Sequence, residues 1–267
     1  MHAAADAGAV RTAPILVSLS SFGSTDVLRD GQARFVALCR AAGADGVEIR
    51  GELLRDGDVE IDELAQVVRA AGLACVYSSP ELLWDAQGAP DWKVLDQGLA
   101  RAETLGATVL KMSIGRYGAA ARGSLSAVRE RIQGLPVRLL IENDQTASGG
   151  TVAALVRFFA DADRDGLDLG MTFDMGNWHW AGECPQEAAR TFASRVRYVH
   201  CKGVQRQPAR WVAVPLADSS APWRSILRSL PGDVPRAIEY PLVGEDLTEV
   251  ARKAVEALRT EQTETGL

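Results

Sequence analysis

Short apolar runs alternate with longer amphipathic ones along almost the whole chain. "PILVSLS" (14–20) has the length and apolar continuity of a buried strand. "GQARFVALCRAAG" (31–43) spaces its apolar residues three and four apart and stops on glycine, as a helix does. The rhythm continues with strands at 45–50, 73–79, 108–113, 137–143, 167–174, 196–202 and 235–240. Helices are expected between and after them at 61–72, 92–106, 124–134, 151–162, 186–195, 221–230 and 245–259. Each strand–helix unit is roughly thirty residues, the size of a βαβ repeat. Eight units in about 250 residues predict an α/β single domain, a closed (β/α)8 TIM barrel. An open doubly wound sheet loses its main support, because the first turn, "SSFGSTDVL", carries one glycine instead of a dinucleotide fingerprint. The barrel is expected over 14–259, between a flexible segment at 1–13 and a flexible polar tail at 260–267.

Composition narrows the function. With 267 residues, 47% hydrophobic and 24% charged, the chain can bury a large core. A net charge of −6 argues against nucleic acid as a partner. No apolar run has membrane-spanning length, and the N-terminus does not read as a signal peptide. Cys39, Cys75, Cys184 and Cys201 are widely spaced, as reduced thiols of a cytoplasmic protein would be, and form no C-x-x-C pair.

The strand ends carry the chemistry, since barrels of this kind work at the C-terminal ends of their strands. In order they offer Ser18 or Ser20, Glu48, Ser78, Lys111 with Ser113, Glu142 with Asn143, Asp174, His200 with Lys202, and Glu239. A lone buried carboxylate is costly unless paired or bound to a cation, and converging carboxylates repel. Singly, these residues read as a loop acid, a turn aspartate, a core histidine and an arginine partner. Together, Glu142, Asp174, His200 and Glu239 offer three oxygens and one nitrogen to a divalent metal ion. That set suits Mn²⁺, Mg²⁺ or Co²⁺, with Zn²⁺ also admissible.

"LLIEND", "MTFDMGN", "VRYVHCKGV" and "RAIEYP", with "DGVEIR" on the second strand, resemble the strand motifs of the sugar phosphate isomerase/epimerase superfamily. This is the xylose isomerase-like barrel group that also contains endonuclease IV. The resemblance implies that Glu142, Asp174, His200 and Glu239 are the metal ligands and that Glu142 and Glu239 form a catalytic acid–base pair. It implies a metal-dependent isomerase or epimerase of a small sugar, keto-sugar or sugar acid, working through an enediolate. A dehydratase (lyase) of a keto-polyol on the same site, or a non-catalytic sugar-binding barrel, are the alternatives. The histidine-rich cluster of endonuclease IV is missing, for the chain has three histidines, His2, His179 and His200. Asn177 stands where many relatives have histidine, and Lys202–Gly203 where many have Lys–Asp.

Other substrate contacts are expected around the mouth. Glu48 could touch a substrate hydroxyl or pair locally with Arg50. Lys111 could polarise a substrate oxygen or bridge to Glu142 or Glu48. Asn177 could hydrogen-bond a hydroxyl. Lys202, Arg206 and Arg210 could take a phosphate, a carboxylate or a polyol, or form a solvated basic loop. Trp84, Trp178, Trp180 and Trp211 could stack on a sugar or pack loops together. His179 falls off the motif pattern and reads as a loop residue. Association into a homo-oligomer is compatible with the fold, although the sequence shows no interface.

Overall fold

The computed structural model describes residues 13–265. Eight parallel strands close into a barrel: β1 (Ile15–Ser18), β2 (Gly46–Arg50), β3 (Ala74–Trp84), β4 (Val109–Gly115), β5 (Arg138–Glu142), β6 (Gly170–Asp174), β7 (Val196–Cys201) and, after a two-stranded insertion, β10 (Arg236–Ile238). Closure is made by β1, which pairs with β2 through Leu16↔Gly46 and with β10 through Leu16↔Ala237. Helices α1 (Ser24–Asp30), α2 (Gln32–Ala41), α3 (Gly57–Ala71), α4 (Trp92–Leu105), α5 (Leu125–Ile132), α6 (Val152–Arg164), α7 (Pro185–Phe192), α8 (Trp223–Arg228) and α9 (Leu247–Thr265) connect and follow the strands.

Local chemistry explains the helices. In α6, Leu155, Phe158, Phe159 and Ala162 recur at helical spacing and are all buried, and the Thr151 side chain caps the Ala154 N–H. Asp91 caps α4 in the same way, and that helix ends on Gly106, whose φ of +67° a side chain would disfavour. Pro185 opens α7, where its missing N–H costs no helical bond.

Side chains alternate across each strand and so divide the core in two. Outward residues such as Val17, Ile49, Leu110, Ile141, Phe173 and Cys201 join the helices in one large apolar cluster. Inward residues Leu16, Val76, Val109, Leu140, Tyr198 and Ala237 form a separate plug inside the barrel. Gly46 and Thr172 take the same inward position on β2 and β6. A Cβ on Gly46 would lie 2.9 Å from Leu16 Cγ, so the plug leaves no room for one.

Three departures from the expected elements are notable. An antiparallel hairpin, β8 (Gly203–Arg206) with β9 (Trp211–Val214), rises directly after β7 where a loop is expected. β3 runs on to Trp84, with a register shift between Ser78 and Leu82. The last helix continues past Arg259 to Thr265, burying Glu261 and Gln262, so that part of the tail is ordered helix. Ala13 is buried, and the rest of the expected flexible N-terminal segment lies outside the described residues. No helix among the described residues is long and apolar enough to cross a membrane.

Candidate metal centre

Two residues beyond the plug, the inward face of every strand turns polar. Leu16 is followed by Ser18, Gly46 by Glu48, Val76 by Ser78, Val109 by Lys111, Leu140 by Glu142, Thr172 by Asp174, Tyr198 by His200 and Ala237 by Glu239. The two-residue strand period thus brings a polar ring to the C-terminal mouth. Glu239 belongs to it although β10 ends one residue earlier, at Ile238.

Within the ring, Glu142, Asp174, His200 and Glu239 each bring one donor atom to a common point, all within 4.8 Å of one another. His200 Nδ1 lies 2.8 Å from Glu239 Oε2, 3.1 Å from Glu142 Oε1 and 3.8 Å from Asp174 Oδ2. The second polar atom of each residue faces away and is held. Lys111 Nζ donates to Glu142 Oε2 at 2.6 Å, and Arg50 Nη1 to Glu239 Oε1 at 2.8 Å. The backbone N–H groups of Gly176 and Asn177 donate to Asp174 Oδ1 at 2.7 and 2.9 Å. His200 Nε2 lies 2.7 Å from Glu48 Oε2. Four inner atoms converge while their outer counterparts are tied down, the arrangement that orients metal ligands. Carboxylate oxygens with one imidazole could hold a hard divalent ion.

Buried charges of both signs keep one another ionised. Burial opposes charge on His200, but Glu239 and Glu48 hold its pKa well above the ordinary imidazole value. Burial would raise Glu239, yet His200 and Lys202 take it well below the carboxylate range. Glu142 is lowered against burial by Lys111 and His200, and Glu48 by His200 and Lys111. The charges alternate in space, so no carboxylate of the ring lacks a cationic neighbour.

Several expected substrate contacts have different surroundings. Glu48, a fully buried member of the ring, accepts from Arg50 Nη1 at 2.7 Å and Ser18 Oγ at 3.2 Å besides meeting His200, and leaves no exposed surface for a substrate. Lys111, also buried, bridges Glu142 and lies 3.8 Å from Glu48. The Asn177 amide is engaged on both sides. It donates to the Asn143 carbonyl at 2.9 Å, and its Oδ1 accepts from Gln145 Nε2 at 3.0 Å and Lys202 Nζ at 3.2 Å. Trp178 is buried against Phe173 and Phe192, and is core instead of a platform for sugar. Trp84 is likewise buried, its Nε1 donating to Ser124 Oγ at 3.0 Å. Arg206 lies exposed on the hairpin with its guanidinium 5.4 Å from the Trp211 ring centroid. Trp211 in turn sits 4.7 Å from the ring of His179. Lys202, mostly buried, reaches the ring itself, 2.7 Å from Asp174 Oδ2 and 2.8 Å from Glu239 Oε2.

Arg50 and Asn143 are the residues whose part the sequence understated. Asn143 Oδ1 accepts from the Asp174 N–H at 2.9 Å and its Nδ2 donates to the Asp174 carbonyl at 3.0 Å, clamping β5 to β6 at the ring. The polar run "IEND" was the available signal. An apolar cavity of about 480 Å³, lined by residues including Leu216, Trp223, Tyr240 and Leu258, lies between α8 and α9 and includes no residue of the ring.

The sequence of residues 36–261 matches the xylose isomerase-like TIM barrel family, and the chain belongs to that family. Its fold is similar to three solved structures. A xylose isomerase-like TIM barrel protein from Mycobacterium smegmatis, in complex with magnesium, has a TM-score of 0.70 at 19% identity, over 96% of this chain and 99% of the other. An L-ribulose 3-epimerase has a TM-score of 0.69 at 18% identity, over 95% of each chain. The probable 3-DHS dehydratase AsbF of Bacillus anthracis has a TM-score of 0.68 at 14% identity, over 92% of this chain and 98% of the other. Identities this low show likeness of fold. Comparison with curated proteins returns no match.

Proposed function

We propose that the protein is a divalent-metal-dependent isomerase or epimerase of a small sugar, keto-sugar or sugar acid. The observation that carries this reading is the convergence of Glu142 Oε1, Asp174 Oδ2, His200 Nδ1 and Glu239 Oε2, with every opposite atom held by a neighbour. These four residues would hold Mn²⁺, Mg²⁺ or Co²⁺. When bound, the ion supplies a Lewis acid that acidifies the C–H beside a substrate carbonyl.

The chain's own groups supply the proton transfer. Glu142 and Glu239 are both held ionised, which equips either to take a proton from carbon. Lys111 and Arg50 hold their outer oxygens and so fix the direction of the inner ones. Returning the proton to the other face of the same carbon is epimerisation; returning it to the neighbouring carbon is aldose–ketose isomerisation. Loss of a β-hydroxyl from the same carbanion would be dehydration, and the fold shared with AsbF keeps that second reading in view.

The test is calorimetric titration with Mn²⁺, followed by NMR of a panel of keto-sugars and sugar acids in D₂O. The expected result is metal binding and solvent deuterium at the carbon beside the carbonyl, both changed in Glu142→Gln. A folded protein that binds no divalent ion and turns over nothing defeats the proposal. Loss of water from the substrate would select the dehydratase.

A further inference from the structure

Besides His200, three lysine and arginine side chains touch the carboxylates of the ring, but they do not touch the same atoms. Lys111 holds the outer oxygen of Glu142, and Arg50 the outer oxygen of Glu239. Both contacts leave the inner oxygens available. Lys202 differs, because its Nζ lies 2.7 Å from Asp174 Oδ2 and 2.8 Å from Glu239 Oε2, two of the four inner atoms. Its remaining hydrogen-bond partner is neutral, Asn177 Oδ1 at 3.2 Å.

A bare backbone position makes this reach possible. The Lys202 stem crosses Gly176, where a Cβ would lie 2.8 Å from Lys202 Cδ and 2.9 Å from Cγ. Gly176 has a φ of −86°, open to any residue, so space and not backbone conformation accounts for glycine there.

We propose that Lys202 is an internal competitor for the divalent ion. Its ammonium pairs with the same Asp174 and Glu239 oxygens that would hold the ion, and must leave them for the centre to load. The proposal rests on reading the ring as a metal centre. Two like charges cannot share the same pair of carboxylate oxygens without strong repulsion. Lys202 therefore lowers metal affinity and lets the ring fold with its charges satisfied before any ion arrives.

The experiment is Mn²⁺ titration by isothermal calorimetry on the full-length wild type, Lys202→Met and Gly176→Ala, with circular dichroism to confirm folding. Lys202→Met should bind Mn²⁺ at least about tenfold more tightly than wild type. Gly176→Ala keeps the charge but crowds the lysine stem, and should shift affinity in the same direction by a smaller factor. Equal or weaker binding in both folded variants overturns the proposal, because a lysine that supports the centre would give that result. If Lys202→Met does not fold, Gly176→Ala alone decides by the same criterion. Wild type that binds no Mn²⁺ at all defeats the metal-centre reading instead, so the two failures are distinguishable.

Discussion

Two residues separate the plug inside the barrel from the polar ring at its mouth, yet the two layers are held by opposite means. The plug is Leu16, Val76, Val109, Leu140, Tyr198 and Ala237, stabilised by removal of apolar surface from water and by close packing. The ring is equally buried at Glu48, Asp174 and His200, but its stability depends on every charge meeting an opposite one. The plug therefore requires volume, whereas the ring requires pairing. Leu140 and Glu142, neighbours on one face of β5, represent the two layers within a single strand.

The largest effect is expected from Glu142→Gln. It removes a proton acceptor while keeping the shape, and should lower turnover of any substrate found in the panel by about 10²–10⁴-fold. Steady-state kinetics beside a circular dichroism spectrum separates that loss from misfolding. Next comes Leu140→Ala, which should cost about 2–5 kcal/mol in urea unfolding through the cavity it leaves. Mn²⁺ affinity should then move by less than about threefold, since Leu140 belongs to the apolar plug and not to the four converging residues. A large loss of metal binding in Leu140→Ala would show that the two layers are coupled.

Glu48→Gln probes the hold on the outer nitrogen of His200. Weakening the grip on His200 Nε2 should reduce Mn²⁺ affinity by about 10–100-fold, read by calorimetry. The smallest expected effect is one of pH. The His200 pKa is held well above its ordinary 6.5, with burial opposing and Glu239 and Glu48 prevailing. Its imidazolium thus contributes stability in full below the unfolded value, and that contribution is lost as pH rises through the folded value. Nδ1 must be unprotonated to ligate, so metal affinity should climb as pH rises toward the folded value. Calorimetry in two buffers of different ionisation heat should show net proton release on ion binding; no release would place the proton elsewhere.

Much of this contrast was legible in the sequence, because a strand writes both layers into a two-residue period. The ordered polar endings pointed to the mouth of a barrel, and the ring stands there. Harder to read were features set by tertiary contact. Trp178 follows the ring aspartate by four residues, but its aromatic surroundings, Phe173 and Phe192, come from β6 and α7. The hairpin at 203–214 carries no strand signal, because Val204 is buried while its strand-mates Gln205 and Arg206 are exposed, and no glycine marks its turn. The polar composition of "RTEQTETGL" suggested a frayed end, yet Ala251, Val255, Leu258 and Gln262 continue one buried stripe at helical spacing. Glu48 was visible as a strand-end acid, but only the closed barrel shows that it faces His200 across from β7.

The alternation along each strand has one more consequence. If β6 or β7 slipped by a single residue, Asp174 or His200 would be turned out against the apolar faces of the helices. A charge left there without a partner costs several kcal/mol. The residues proposed for chemistry therefore also proofread the assembly of the barrel, since a chain closed one step out of register is penalised at the positions the reaction would use.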